Sequence, residues 1–192
     1  MYIVTNRTVD ESKHSENEAF GSKPIEGPNE LRLAEATRRG NRWHINILPD
    51  QITPTMAKSV DLNSDNTYPA SAYVARKLIE KSGHGASAQK SGRNLLLFVH
   101  GYNNDMTDVL DRVEKLEKNF DIEVIVFSWP ANGGGLHGVL SYKSDKRDAL
   151  ASVGAFNRVL EKLEALVIEF HAQYVAELQV RAETRYADNA AA

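Results

Sequence analysis

Apolar positions in this chain follow two patterns. Leu95–Val99 is an unbroken apolar run, and Ile122–Trp129 is nearly one, closed by Pro130. Short runs that are apolar on both faces predict strands covered on both sides, as in a parallel sheet flanked by helices. Trp43–Leu48 instead alternates apolar and polar residues, which predicts a half-buried strand ended by Pro49 and Asp50. Tyr2–Thr5 predicts a short strand. Leu31–Thr37 fits either a strand or a short helix. Asn6–Pro28 is polar, with Pro24, Gly27 and Pro28, and predicts a long surface loop.

Three segments carry helical spacing. Pro69–Ser82 puts Tyr73, Val74, Leu78 and Ile79 on one stripe and is stopped by Gly83-His84-Gly85. Asp105–Phe120 repeats Val109, Leu110, Val113 and Leu116, with Asp105 and Asp108 at the positive end of the helix dipole. From Ser144 to about Arg181, Ala149, Val153, Phe156, Leu160, Leu163, Val167, Phe170 and Tyr174 recur every three or four residues. That spacing predicts a single helix of roughly 57 Å. Gly154 is its expected weak point, at a cost of ~1 kcal/mol against alanine. The expected architecture is α/β, with a mostly parallel sheet of about four strands followed by a long C-terminal helix. The expected division is a core over 1–143, the helix over 144–182 and a flexible tail over 183–192.

Composition narrows the function classes. A chain of 192 residues fits one domain and buries roughly 70% of the surface its unfolded form exposes. It has no cysteine, which excludes disulfides, thiolate metal sites and cysteine nucleophiles. The net charge of -3 argues against nucleic acid as a partner. No apolar stretch approaches the ~20 residues of a membrane span, and Met1–Asp10 has no signal-peptide core. A cytoplasmic protein without membrane partners is expected. No His-Glu-x-x-His spacing occurs, and Gly133-Gly134-Gly135 is not followed by the Gly-Lys-Ser/Thr of a phosphate loop, so neither metal nor cofactor is expected.

The chemistry concentrates at His100-Gly101-Tyr102-Asn103, directly after the Leu95–Val99 strand. In open α/β sheets ligands bind at that edge. A glycine there lets the backbone turn and expose amides that can form an oxyanion hole, each donor worth ~3–4 kcal/mol in acyl transfer. The alternative is that Gly101 only ends the strand while His100 hydrogen-bonds within the turn. His84 and His137 read as solvated loop histidines, and Lys143–Asp148 as a solvated helix start.

The order Leu-Leu-Leu-Phe-Val-His-Gly-Tyr-Asn-Asn, an acidic amphipathic helix, Val-Ile-Val-Phe-Ser-Trp-Pro and a glycine-rich loop resembles α/β hydrolases. More narrowly, it is similar to the bacterial group known as domain of unknown function 900. The resemblance covers roughly Asn94–Leu160, and less specifically Met1–Asn6 and Asn29–Asp50. It implies a serine esterase or related acyl hydrolase acting on a small ester-like substrate. The Tyr102 N–H would be an oxyanion donor and His100 would shape the loop without being the base. Trp129, Asn132, Gly133 and Gly134 would line the pocket mouth. It also implies that Leu95–Val99 lies between the Ile122–Trp129 strand and a further strand absent from this chain. That leaves an open edge capable of self-association.

No serine stands in a Gly-x-Ser-x-Gly elbow. Ser87 follows Gly85 but not a strand, Ser152 lies within the helical stretch, and Ser128 lacks both flanking glycines. The chain is therefore expected to stop before the family's nucleophile, aspartate and histidine, and to be inactive alone. A second reading is a non-catalytic assembly module that oligomerises through the C-terminal helix. A third is an enzyme of another class using His100 or His137.

Overall fold

A computed structural model of the chain describes residues 1–25, 27, 30–82, 94–102, 104–131 and 142–190. Its centre is a five-stranded sheet in the order β5-β4-β1-β7-β6, formed by β1 (Tyr2–Thr5), β4 (Arg32–Arg39), β5 (Arg42–Ile47), β6 (Leu95–Val99) and β7 (Glu123–Ser128). β1 pairs parallel to β7, and β7 parallel to β6. β4 pairs antiparallel to both β1 and β5. The sheet is thus mixed, half parallel and half antiparallel, rather than mostly parallel. The apolar runs of β6 and β7 do report parallel pairing. The alternating strand β5 belongs to an antiparallel hairpin, whose 39–42 corner turns through Gly40 at φ 60°. Leu31–Thr37 resolves as strand β4.

Successive residues of β1 and β7 face opposite layers, as the pleat requires. Ile3, Val124 and Val126 meet Met106, Val109, Leu110 and Val113 of α3 (Met106–Phe120). Tyr2 and Ile125 meet Val74 and Leu78 of α2 (Ala70–Ser82). Helices therefore cover both faces. Asp105 caps α3, its side chain accepting from the Asp108 N–H at 2.8 Å. Asp111 fastens α3 to the β4–β5 hairpin by accepting from Trp43 Nε1 at 2.7 Å and Arg38 Nη1 at 2.5 Å. The short α1 (Pro54–Lys58) is capped by Thr53.

The segment expected to be a surface loop contains two strands. β2 (Arg7–Val9) and β3 (Phe20–Pro24) pair antiparallel as a separate ribbon. Gly21 is needed there: a Cβ would sit 2.0 Å from Thr8 Oγ1 and 3.2 Å from its Cβ and carbonyl oxygen.

The expected single C-terminal helix is two, α4 (Tyr142–Ala151) and α5 (Val153–Ala190). The break falls at Ser152, not at Gly154. Ser152 Oγ donates to the Asp148 carbonyl at 2.7 Å and accepts from Asn6 Nδ2 at 2.8 Å. A serine hydroxyl turned onto the carbonyl four residues back competes with the helical ladder and bends it. The packing face differs as well. Ala155 and Val159 are buried with Phe127 and Trp129, whereas Val153 and Leu160 point outward.

β6 forms one edge of the sheet as described. Leu95, Leu96 and Val99 are 44%, 37% and 44% exposed, an apolar edge without a charge or proline to blunt it. Among the described residues, no helix is long and apolar enough to cross a membrane.

Candidate functional site

β6 ends at the C-terminal edge of the parallel strands and delivers His100 into the interior, where it is 3% exposed. Its imidazole occupies a closed set of partners. Nδ1 lies 2.9 Å from the Gly101 carbonyl oxygen, an acceptor, so Nδ1 carries the proton. Nε2 accepts from the Trp129 backbone N–H at 3.3 Å. The Trp129 indole stacks on the imidazole at 5.4 Å between centroids, and its Nε1 donates to the His100 carbonyl at 2.8 Å. The turn after β6 and the end of β7 are thereby locked together.

Beneath this pair lies Ser128, fully buried. Its Oγ accepts from Arg7 Nε at 3.0 Å, donates to Met106 Sδ at 3.2 Å and lies 3.4 Å from His100 Nε2. The buried Arg7 guanidinium also donates to the Gly21 carbonyl at 3.2 Å and the Ala131 carbonyl at 3.4 Å. Thr5 Oγ1 donates to the Ser128 carbonyl at 2.7 Å and accepts from the Arg7 N–H at 3.0 Å. The ribbon, β1 and β7 therefore meet on one buried polar cluster.

Burial, the largest cause, and the neighbouring Arg7 charge together lower the His100 pKa from 6.5 to about 4, against the opposing pull of its hydrogen bonds. The imidazole is neutral at pH 7. Protonation would give Nε2 a hydrogen where the Trp129 N–H already points.

Gly101 is exposed, and its φ lies outside the left-handed region. A Cβ there would meet only Asn104 Nδ2, at an ordinary 3.6 Å. Backbone permissiveness is thus not what makes this turn, contrary to the expectation from the glycine. Side chains hold it instead: Asn104 Nδ2 donates to the Gly101 carbonyl at 3.1 Å and the Tyr102 carbonyl at 3.0 Å. Tyr102 is 54% exposed at the tip.

The structure brings His100, Gly101, Tyr102 and Trp129 together. Asn103, Asn132, Gly133 and Gly134 lie outside the described residues, as do His84, Ser87 and His137. Ser128 and Ser152 are both buried with their hydroxyls engaged. Sequence reasoning missed Arg7 and Asn104. Arg7 sits in a segment read as loop, and an asparagine five residues past the end of β6 carries no signal beyond turn preference. Among the described residues, no three His, Cys, Asp or Glu side chains are grouped to hold a metal ion.

The His100 titration has a consequence for stability. The unfolded chain binds this proton below about pH 6.5 and the folded chain only below about 4, so stability falls as pH drops through that window and levels off beneath it. Between pH 7 and pH 5 the loss from His100 is about 2 kcal/mol. Urea unfolding at both pH values will show it, and His100→Gln will flatten the difference while lowering stability at pH 7.

The family model described as alpha/beta hydrolase of unknown function (DUF900) matches residues 76–170. No curated protein and no solved structure matches the chain significantly. The matched segment runs from α2 through β6, the His100 turn, α3 and β7 into α5. Over these residues the chain is similar to the alpha/beta hydrolase family of unknown function, the family that its His-Gly and Phe-Ser-Trp-Pro strands resemble.

Proposed function

We propose that this chain supplies the electrophilic wall of a serine acyl-hydrolase site, acting on ester-like bonds, and is inactive alone. The observation that carries this reading is the turn after β6, where Asn104 bonds the Gly101 and Tyr102 carbonyls. It puts an exposed Tyr102 at the C-terminal edge of the parallel strands. In the proposed reaction a serine oxygen attacks the substrate carbonyl and a histidine takes its proton. The Tyr102 N–H then stabilises the developing oxyanion from roughly 2.7–3.1 Å. His100 is not that base, because its one lone pair already accepts from Trp129 and burial keeps it uncharged. Nucleophile, base and acid would come from outside these 192 residues, since no serine here occupies an elbow. The absence of cysteine suits a reducing cytoplasm.

A fluorophosphonate probe tests the inactivity. Incubation with the purified chain is expected to give no covalent adduct by intact mass. An adduct on any serine would overturn the reading.

The second reading, an assembly module, is favoured by α5. Leu160, Ile168 and Val175 are 44%, 64% and 39% exposed, and steps of eight and seven residues bring them to one face. Light scattering distinguishes the two. An assembly module gives a discrete oligomer that Leu160→Glu dissociates. Self-association through the apolar β6 edge gives polydisperse species that Leu160→Glu leaves unchanged.

A further inference from the structure

The β4–β5 hairpin lies at the edge of the sheet opposite β6. At its end Arg39 pairs directly with Arg42 across the Gly40–Asn41 corner. Directly opposed residues share a face, with Cβ atoms about 5 Å apart, and like charges placed so destabilise the pairing. Both residues are exposed, and neither guanidinium meets a carboxylate or a hydrogen-bond acceptor among the described residues. The other arginines of β4 do: Arg38 is held by Asp111, and Arg32 by Glu11 and Asp50. The Arg39–Arg42 pair is therefore positive charge that the fold leaves uncompensated.

The register defines its surroundings. Inward from the corner, the same face carries Thr37 opposite His44, then Glu35 opposite Asn46. The first carboxylate on this face of β4 thus stands four residues from Arg39, roughly 13 Å along the strand. His14 stacks on His44 at 5.0 Å between ring centroids, and its Nδ1 donates to the Ile45 carbonyl at 3.0 Å. Desolvation, the Arg39 charge and His14, in that order, all lower the His44 pKa. Its ring is neutral at pH 7 and keeps one N–H to donate. On the other face, Arg38 packs over the Trp43 ring at 5.1 Å and donates to Asp111 and to the Gly40 carbonyl. That fastening holds the end of the hairpin to α3, so Arg39 and Arg42 project from a fixed backbone.

Two unmatched guanidiniums suit a dianion with several acceptor oxygens, because each fork donates two parallel hydrogen bonds. Thr37 and His44, in the next row, offer further donors. These six positions include no apolar side chain against which a lipid or a protein surface could pack, and a net charge of -3 opposes polyanions. We propose that the face of the β4–β5 hairpin around Arg39 and Arg42 binds the phosphoryl group of a soluble phosphomonoester. The site is separate from the hydrolase-like turn, and binding requires no catalysis.

Chemical-shift titration of the nitrogen-15-labelled full chain tests it, at constant ionic strength, with glycerol 3-phosphate, dimethyl phosphate, acetate and phosphatidic acid vesicles. At about pH 7.5 glycerol 3-phosphate is a dianion. It should shift the Arg39 and Arg42 Nε–H signals saturably and bind about tenfold or more tightly than either small monoanion. Arg39→Gln and Arg42→Gln should each weaken it about tenfold. By relieving like-charge repulsion, each should also leave the urea midpoint at or above that of the parent chain. Lys115→Gln removes the same charge from an exposed position on α3, on the other face of the sheet, and should leave affinity unchanged. The proposal is overturned by unsaturable shifts, by monoanions that bind as tightly, or by a stronger response to the vesicles than to glycerol 3-phosphate. It is equally overturned if either arginine variant binds undiminished or unfolds at lower urea, or if Lys115→Gln weakens binding as much.

Discussion

The C-terminal edge of the sheet depends on one neutral imidazole. His100 gives its Nδ1 proton to the next carbonyl and accepts at Nε2 from the backbone of Trp129, so β6 and β7 end in fixed register. The arrangement works only while the ring is uncharged, because a second ring proton would face a donor. Its surroundings enforce that state through burial and through the nearby Arg7 guanidinium. Arg7 in turn reaches β7 through Ser128 and the β2–β3 ribbon through Gly21. Buried polar groups of this kind stabilise a structure only when their partners are in place. The ribbon is therefore part of the support beneath the turn.

This coupling shapes what the turn can do. A histidine with both nitrogens committed holds a surface steady but cannot exchange protons with a substrate. A serine fixed under that histidine and bound by an arginine is likewise withdrawn from solvent. What is exposed at the turn includes Gly101 and the Tyr102 side chain. The family match over residues 76–170 spans the turn and both strands that hold it. The Arg39–Arg42 pair lies at the opposite edge of the sheet, on the β4–β5 hairpin.

The elements legible in the sequence were those whose pattern is local. β1 and β6 coincide with their apolar runs, and α3 with its stripe and its Asp105 cap. What stayed hidden depends on distant partners. Arg7–Val9 and Phe20–Pro24 are polar and short, and they become strands through pairing with each other and through the reach of Arg7 to Ser128. The helix break at Ser152 arises because Asn6, 146 positions away, bonds a hydroxyl that could as well have faced water. The continuous runs of β6 and β7 mark only the parallel half of the sheet, while the alternation of β5, a pattern common in antiparallel strands, marks the other half. The candidate site was legible as His-Gly after a strand. Its supports, Asn104 and Arg7, were not.

The central claim is that His100 is a neutral strut. Nitrogen-15 NMR of the imidazole, followed across a pH titration, tests it most directly. The account predicts the Nδ1–H tautomer at neutral pH and no titration until the pH approaches about 4. A ring titrating near its ordinary value of 6.5, or carrying its proton on Nε2 at neutral pH, would contradict it.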